Sequence, residues 1–241
     1  MIVLAVFLLL ASFIGSVLPI GQIEFFLAKD LGSPPAFIEG TFWTWERLAA
    51  VMGFALASTW TPGPNNMMLS NSGATFGFRR TFRHMWGVIL GAAAMVFLVA
   101  LGLGEAFQSS ALLRETLKWG GAALLLYIAW RVATSGRPTD NGSEGGRPFT
   151  FVEAFAFQAV NPKAWMMSIG VSSAYLTGAA PLAEAAAIGG VFILSNITSA
   201  HAWTAFGAAM RDWLAVGDRL PVFNAIMGLA LALFVIPIVL V

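Results

Sequence analysis

The chain has 241 residues, 58% hydrophobic and only 10% charged, with a formal net charge of +1. That balance lies outside the soluble globular range and reads as an integral membrane protein. The near-neutral charge provides no basic field for nucleic acid, and the lack of any cysteine excludes disulfide, thiol-redox and thiolate-metal chemistry.

Met1 to Leu18 is apolar and uncharged, long enough to cross a bilayer at about 20 residues per span. It lacks the basic leader and clear cleavage site of a signal peptide. Two readings stay open for it: an extra N-terminal transmembrane helix, or a start assigned too far upstream. The stretch that follows carries Glu24, Lys29, Asp30, Pro34, Pro35 and Glu39 and reads as a loop, so residues 1–44 stand apart from the rest.

Six apolar segments then recur near 47–73, 83–104, 112–133, 151–176, 184–208 and 220–241. Each has about the length that a membrane-spanning helix requires. The polar, Gly-rich linker at 135–148 divides them into a first three-helix repeat, 45–134, and a second, 149–241. The fold class expected is therefore an all-α integral membrane protein with a six-helix core.

Basic residues orient this bundle, because loops retained in the cytoplasm are enriched in them. Arg79, Arg80, Arg83, Arg131, Arg137, Arg147, Arg211 and Arg219 fall in connections on one side; Lys29, Arg47, Arg114 and Lys118 fall on the other. The Arg-rich side is expected to be cytoplasmic. Three helices per half is an odd number, so the second half enters from the opposite face, which makes the pair a 3+3 inverted repeat. Transporters built this way place their site near the midplane, between interrupted helices at matching positions.

Both halves carry such an interruption in their leading helix. In the first, Thr61, Pro62, Gly63, Pro64, Asn65 and Asn66 stand inside an apolar run; in the second, Gln158, Asn161, Pro162 and Lys163 do. Proline removes a backbone donor and frees a carbonyl one turn earlier, and bare backbone is tolerated in a membrane only inside protein or beside a polar cavity. Pro64 and Pro162 suit the first position of a restarting helix, with Asn161 as the N-cap of the second. Such a helix start favours an anionic group, Gly63 permits close approach, and the freed carbonyls of Ser58, Trp60 and Gln158 suit an ammonium. A zwitterion, such as a free amino acid, matches both. The alternative for either break alone is a packing kink.

Lys163 lies about 15 Å into its helix at 1.5 Å per residue, near mid-bilayer, where an ionisable group is a functional candidate. His201 and Glu153 are the other candidates for ion coupling. His201 is equally suited to an interhelical hydrogen bond, and Glu153 lies near a membrane edge. No Asp or Glu falls in the middle of any of the six segments.

The runs TPGPNNMMLSNSGATFGFRRTFRHMWGVILGA, LKWGGAALLLYIAWRVATS and PFTFVEAFAFQAVNPKAW resemble, in order and spacing, the lysine exporter (LysE/RhtB) family of amino-acid exporters. The likeness covers about Trp45 to the C-terminus and is nearest to exporters of small neutral amino acids such as cysteine and O-acetylserine. It implies proton-coupled export of amino acids or their derivatives across the inner (cytoplasmic) membrane by alternating access, with no cofactor. The partners implied are a small zwitterionic substrate, protons and the lipid bilayer. It carries Pro62, Gly63, Pro64, Asn65, Asn66, Asn161, Pro162 and Lys163 as positions matching the family's motifs. Oligomeric state stays open, a homodimer included. The competing readings are an intramembrane hydrolase or transferase, for which HExxH, GxSxG and cysteine are all missing, and an accessory membrane subunit.

Overall fold

A computed structural model of the protein describes residues 43–104, 109–135 and 146–240. The readings made on the N-terminal apolar segment and on most of the polar linker lie outside the described residues. Every regular element among the described residues is helical.

Helix α1, Trp45–Trp60, starts at Thr44, whose hydroxyl accepts from the Arg47 N–H at 3.3 Å. It stops where Thr61 turns extended (φ −63°, ψ 143°) ahead of Pro62, as the residue before a proline tends to do. Helix α2, Pro64–Phe76, follows and ends at Gly77, whose φ of 86° is the left-handed conformation a glycine terminator supplies. A 3-10 turn, Arg79–Thr81, leads into α3, Phe82–Leu98, which widens into a π turn over Val99–Leu103. Helix α4 is Ala111–Ala133. The segment expected over 151–176 is two helices, α5 at Phe151–Phe157 and α6 at Pro162–Tyr175, joined by the 3-10 turn Gln158–Val160.

The long helix α7, Pro181–Ala209, is followed by the short α8, Arg211–Leu214, and then by α9, Arg219–Leu233, and α10, Val235–Leu240. The last apolar segment, expected as one helix over 220–241, is thus interrupted at Phe234. Pro237 explains this, because it has no N–H to offer the carbonyl of Leu233. Among the described residues, three helical stretches are long and apolar enough to cross a membrane: Arg79–Leu103, Pro181–Ala209 and Arg219–Leu240.

Helix α7 is the hub, packing on α1, α2 and α3, while α3 also packs on α5 and α6, and α4 packs on α9 and α10. Helix α2 is interior along its whole length after Asn65. Its sequence is polar for such a place, with Asn66, Ser70, Asn71, Ser72 and Thr75 all buried. Withdrawal from lipid is what makes this tolerable, since neighbouring helices then supply the partners that hydrocarbon lacks. Ser70 donates to the Trp203 carbonyl at 3.0 Å, Asn71 donates to Asn224 at 2.6 Å, and Ser72 meets Thr81 at 3.0 Å. The α2 and α7 backbones approach so closely that a Cβ at Gly207 would overlap the Ser70 carbonyl, a use of small residues common between membrane helices.

Candidate functional site

The two breaks meet. At the end of α1 the last carbonyls find separate partners. That of Ala57 accepts the Thr61 N–H at 3.3 Å, and that of Ser58 accepts the Thr61 hydroxyl at 2.8 Å. The Thr59 carbonyl accepts both Asn66 Nδ2 and Ser199 Oγ, each at 2.7 Å. Asn66 Nδ2 also reaches the Thr61 carbonyl at 2.9 Å, so a residue in the first turn of α2 closes the gap that the prolines opened.

Lys163 comes from the other break. Its Nζ lies 2.7 Å from the Thr61 carbonyl, 2.9 Å from the Thr61 hydroxyl and 3.5 Å from the Pro62 carbonyl. A cation at the C-terminal end of α1 also sits where the helix dipole favours it. The ammonium expected at freed carbonyls is therefore present, but it belongs to the protein, and it takes Thr61 and Pro62 rather than Ser58 or Trp60. The Gln158 carbonyl accepts the Asn161 N–H at 3.2 Å, so it too is already used. Gly63 is needed here for space: its φ of −173° is ordinary extended backbone, but a Cβ would lie 2.7 Å from Lys163 Cδ and 3.0 Å from its Nζ.

A second link joins the breaks. Asn65 Nδ2 donates to Gln158 Oε1 at 2.9 Å, and Gln158 Nε2 donates back to Asn65 Oδ1 at 3.0 Å. Gln158 is buried and is further tied to the Ala154 carbonyl at 3.0 Å and to Asn161 Nδ2 at 3.2 Å. Asn161 Oδ1 caps α6 by accepting the Lys163 N–H at 3.1 Å, with Pro162 as the first helical residue. Pro64 holds the same position in α2, but its N-cap, Gly63, has no side chain to offer. The start of α2 thus keeps backbone donors without a side-chain cap, beside a lysine and three amides.

Pro62, Gly63, Pro64, Asn65, Asn66, Gln158, Asn161, Pro162 and Lys163 therefore form one cluster. His201 and Glu153 do not join it. His201 Nδ1 bonds the Ile197 carbonyl of its own helix at 2.7 Å, and its ring lies against Phe78 at 5.9 Å, so the interhelical bond expected for it is replaced by one within α7. Glu153 takes both terminal nitrogens of Arg147 at 2.6 Å and completes a capping box with Thr150 at the start of α5. The carboxylate in turn holds the Arg147 guanidinium above its ordinary pKa.

The sequence reading gives no role to the side chains of Thr59, Thr61, Ser195 and Ser199. Thr59 Oγ1 lies 2.7 Å from Ser195 Oγ, and Trp60 Nε1 donates to Thr198 at 3.2 Å, which fastens the α1 end of the break to α7. Ser195 and Ser199 are four residues apart in α7 and so share a face, which is the signal that could have found them.

Comparison with known proteins fits this geometry. A family model described as LysE type translocator matches residues 56–240. The chain belongs to the LysE type translocator family. Cysteine/O-acetylserine efflux proteins of Escherichia coli, Shigella sonnei and Shigella flexneri are each 32% identical to it over 132 residues, 54% of this chain and 65% of theirs. The chain thus spans 65%, less than two thirds, of the length of these curated relatives. No solved structure matches it at a significant level. For a LysE translocator, the two breaks, at residues 61–66 and 158–163, lie wholly inside the matched region.

Proposed function

We propose that this LysE translocator is a secondary active exporter of small amino acids or their derivatives across the inner membrane, in multi-pass form and coupled to protons. The observation that supports the reading best is the bond from Lys163, in one break, to the carbonyls of Thr61 and Pro62 in the other. In this reading 45–134 and 149–241 are two halves in inverted arrangement, and the seam between their broken helices is the substrate site.

The chemistry follows from what the seam offers. A substrate ammonium competes with Lys163 for the carbonyls at the end of α1. The substrate carboxylate takes the uncapped N–H groups at the start of α2, with Asn65 and Asn66 beside them. Gly63 keeps the approach open. Displaced from its carbonyls, Lys163 loses the partners that hold its charge at this depth and releases a proton, which couples binding to protonation. His201 and Glu153 are less suited to this role, being tied to Ile197 and Arg147. Opening on either side separates the halves at the Asn65 to Gln158 pair, and the same amides then face the passage in turn.

The names of the relatives make cysteine and O-acetylserine the first cargo to try. Family membership sets the hydrolase and transferase readings aside. The test is flux of labelled amino acids from proteoliposomes with and without an imposed proton gradient. Gradient-dependent exchange of a small neutral amino acid is expected. If a broad panel of zwitterions shows no flux, the exporter reading is wrong; if flux ignores the gradient, only the coupling is.

A further inference from the structure

At the end of the bundle that carries the Arg-rich connections, a cavity of ≈ 210 Å³ opens between the end of α2, the end of α4 and residues 146–149, which lead into α5. It lies just below the ~300–1,000 Å³ of pockets that take drug-sized ligands, so its scale suits a smaller solute. Among the described residues, none that lines it is acidic.

Arg131 lines it and has no carboxylate or hydrogen-bond partner among the described residues. Its guanidinium instead lies over the ring of Phe149 at 5.0 Å and that of Tyr127 at 6.0 Å. Stacking of this kind holds the group in place while leaving its N–H donors free for an anion. The other arginine on the cavity, Arg147, is neutralised by Glu153.

Asn71 supplies an acceptor on the same cavity. The Ser135 carbonyl can only accept, so Asn224 presents Nδ2 to it at 2.6 Å and is left with Oδ1 toward Asn71. Asn71 must then donate Nδ2, at 2.6 Å, and its own carbonyl oxygen makes no hydrogen bond among the described residues. A chain of three groups thereby fixes which end of the Asn71 amide is spare.

We propose that this cavity is a second binding site for a small amino acid, with Arg131 taking the α-carboxylate and the Asn71 carbonyl oxygen taking the ammonium. It is a loading site, separate from the seam and on the side from which cargo is exported. The identity of its cargo rests on the exporter reading above; the cavity and its charge do not.

The experiment pairs binding with transport in purified protein. Thermal stabilisation by L-cysteine, O-acetyl-L-serine and L-alanine is titrated for wild type, Arg131→Gln and Arg131→Lys, and L-cysteine methyl ester is the probe whose carboxylate is blocked. Arg131→Gln is expected to weaken the best free amino acid by about tenfold or more, the worth of a lost charged hydrogen bond, and to leave the methyl ester unchanged. Arg131→Lys should recover most of the loss. An unchanged affinity, an equal loss for acid and ester, or no binding of any of the three to wild type overturns the site. Export from proteoliposomes separates the two readings. Binding that depends on Arg131 without any flux leaves the cavity standing and removes the exporter, whereas flux with an unaltered half-saturating concentration in Arg131→Gln removes the cavity alone.

Discussion

Lys163 Nζ lies 2.7 Å from the carbonyl oxygen of Thr61, a residue 102 positions earlier in the chain. One ammonium thus satisfies backbone that a proline pair left bare, and it does so across two helices that the sequence breaks independently.

Replacing Lys163 with methionine keeps most of the unbranched stem, one atom shorter, and removes the donors. The Thr61 hydroxyl and the Thr61 and Pro62 carbonyls lose their shared partner, at a cost of about 1–3 kcal/mol in stability. Flux should fall by about tenfold or more, measured as initial efflux per folded protein in liposomes, since a buried ionisable group in a membrane is retained for function. Near-normal flux in Lys163→Met would count against any role of the lysine in transport.

Gly63→Ala is a milder probe of the same place. The backbone there accepts alanine, but the new Cβ would meet Lys163 Cδ at 2.7 Å. The far end of a flexible side chain can move, so the melting temperature should shift by only a few degrees, as expected for about 1 kcal/mol or less. Transport should drop several-fold because the lysine is pushed off its carbonyls. A large loss of stability with normal flux in the surviving protein would reverse this assignment.

Asn65 and Gln158 invite a double-mutant cycle. Each amide both donates and accepts, so Asn65→Leu and Gln158→Leu each leave the other partner unsatisfied, and the two losses should not add. A coupling of about 0.5–3 kcal/mol is expected from denaturation of the single and double variants. Strict additivity would mean that the pair contributes nothing across the seam.

Gly207 tests packing rather than the site. Any side chain there collides with the Ser70 carbonyl, which belongs to backbone and cannot step aside. Gly207→Val should cost about 1–3 kcal/mol or prevent assembly of α2 on α7, read as lost yield and a lowered unfolding midpoint. The apparent affinity for substrate in what does fold should stay within about twofold, because sites without shared partners behave independently.

How much of this was legible before the fold was known depends on range. Pro64, Asn161 and Pro162 announce helix starts by local chemistry, and the structure places each where that chemistry asks. What the freed carbonyls do was not readable, because their partners Lys163, Asn66 and Ser199 lie at separations from 5 to 140 residues, and no local rule selects among them. Ser195 was hard to single out, because it opens a stretch that also carries Asn196, Thr198 and Ser199 and no local rule ranks one hydroxyl above the rest. The interruption at Phe234 follows from Pro237, whose effect is diluted in a run that otherwise reads as continuous. His201 went astray for a different reason: a titratable ring in a membrane helix suggests a partner elsewhere, yet the carbonyl four residues back was nearer.

The lysine seated on Thr61 also bears on leakage. A passage through a membrane that holds open carbonyls and amides would invite a file of water and, with it, a proton short circuit. Here the Lys163 ammonium and the amides of Asn65 and Gln158 are spent on groups across the seam, which leaves fewer of them to hold such a file of water. If the seam is the substrate site as proposed, cargo has to outbid a tethered competitor there, and weak binding at the seam is the expected energetic consequence.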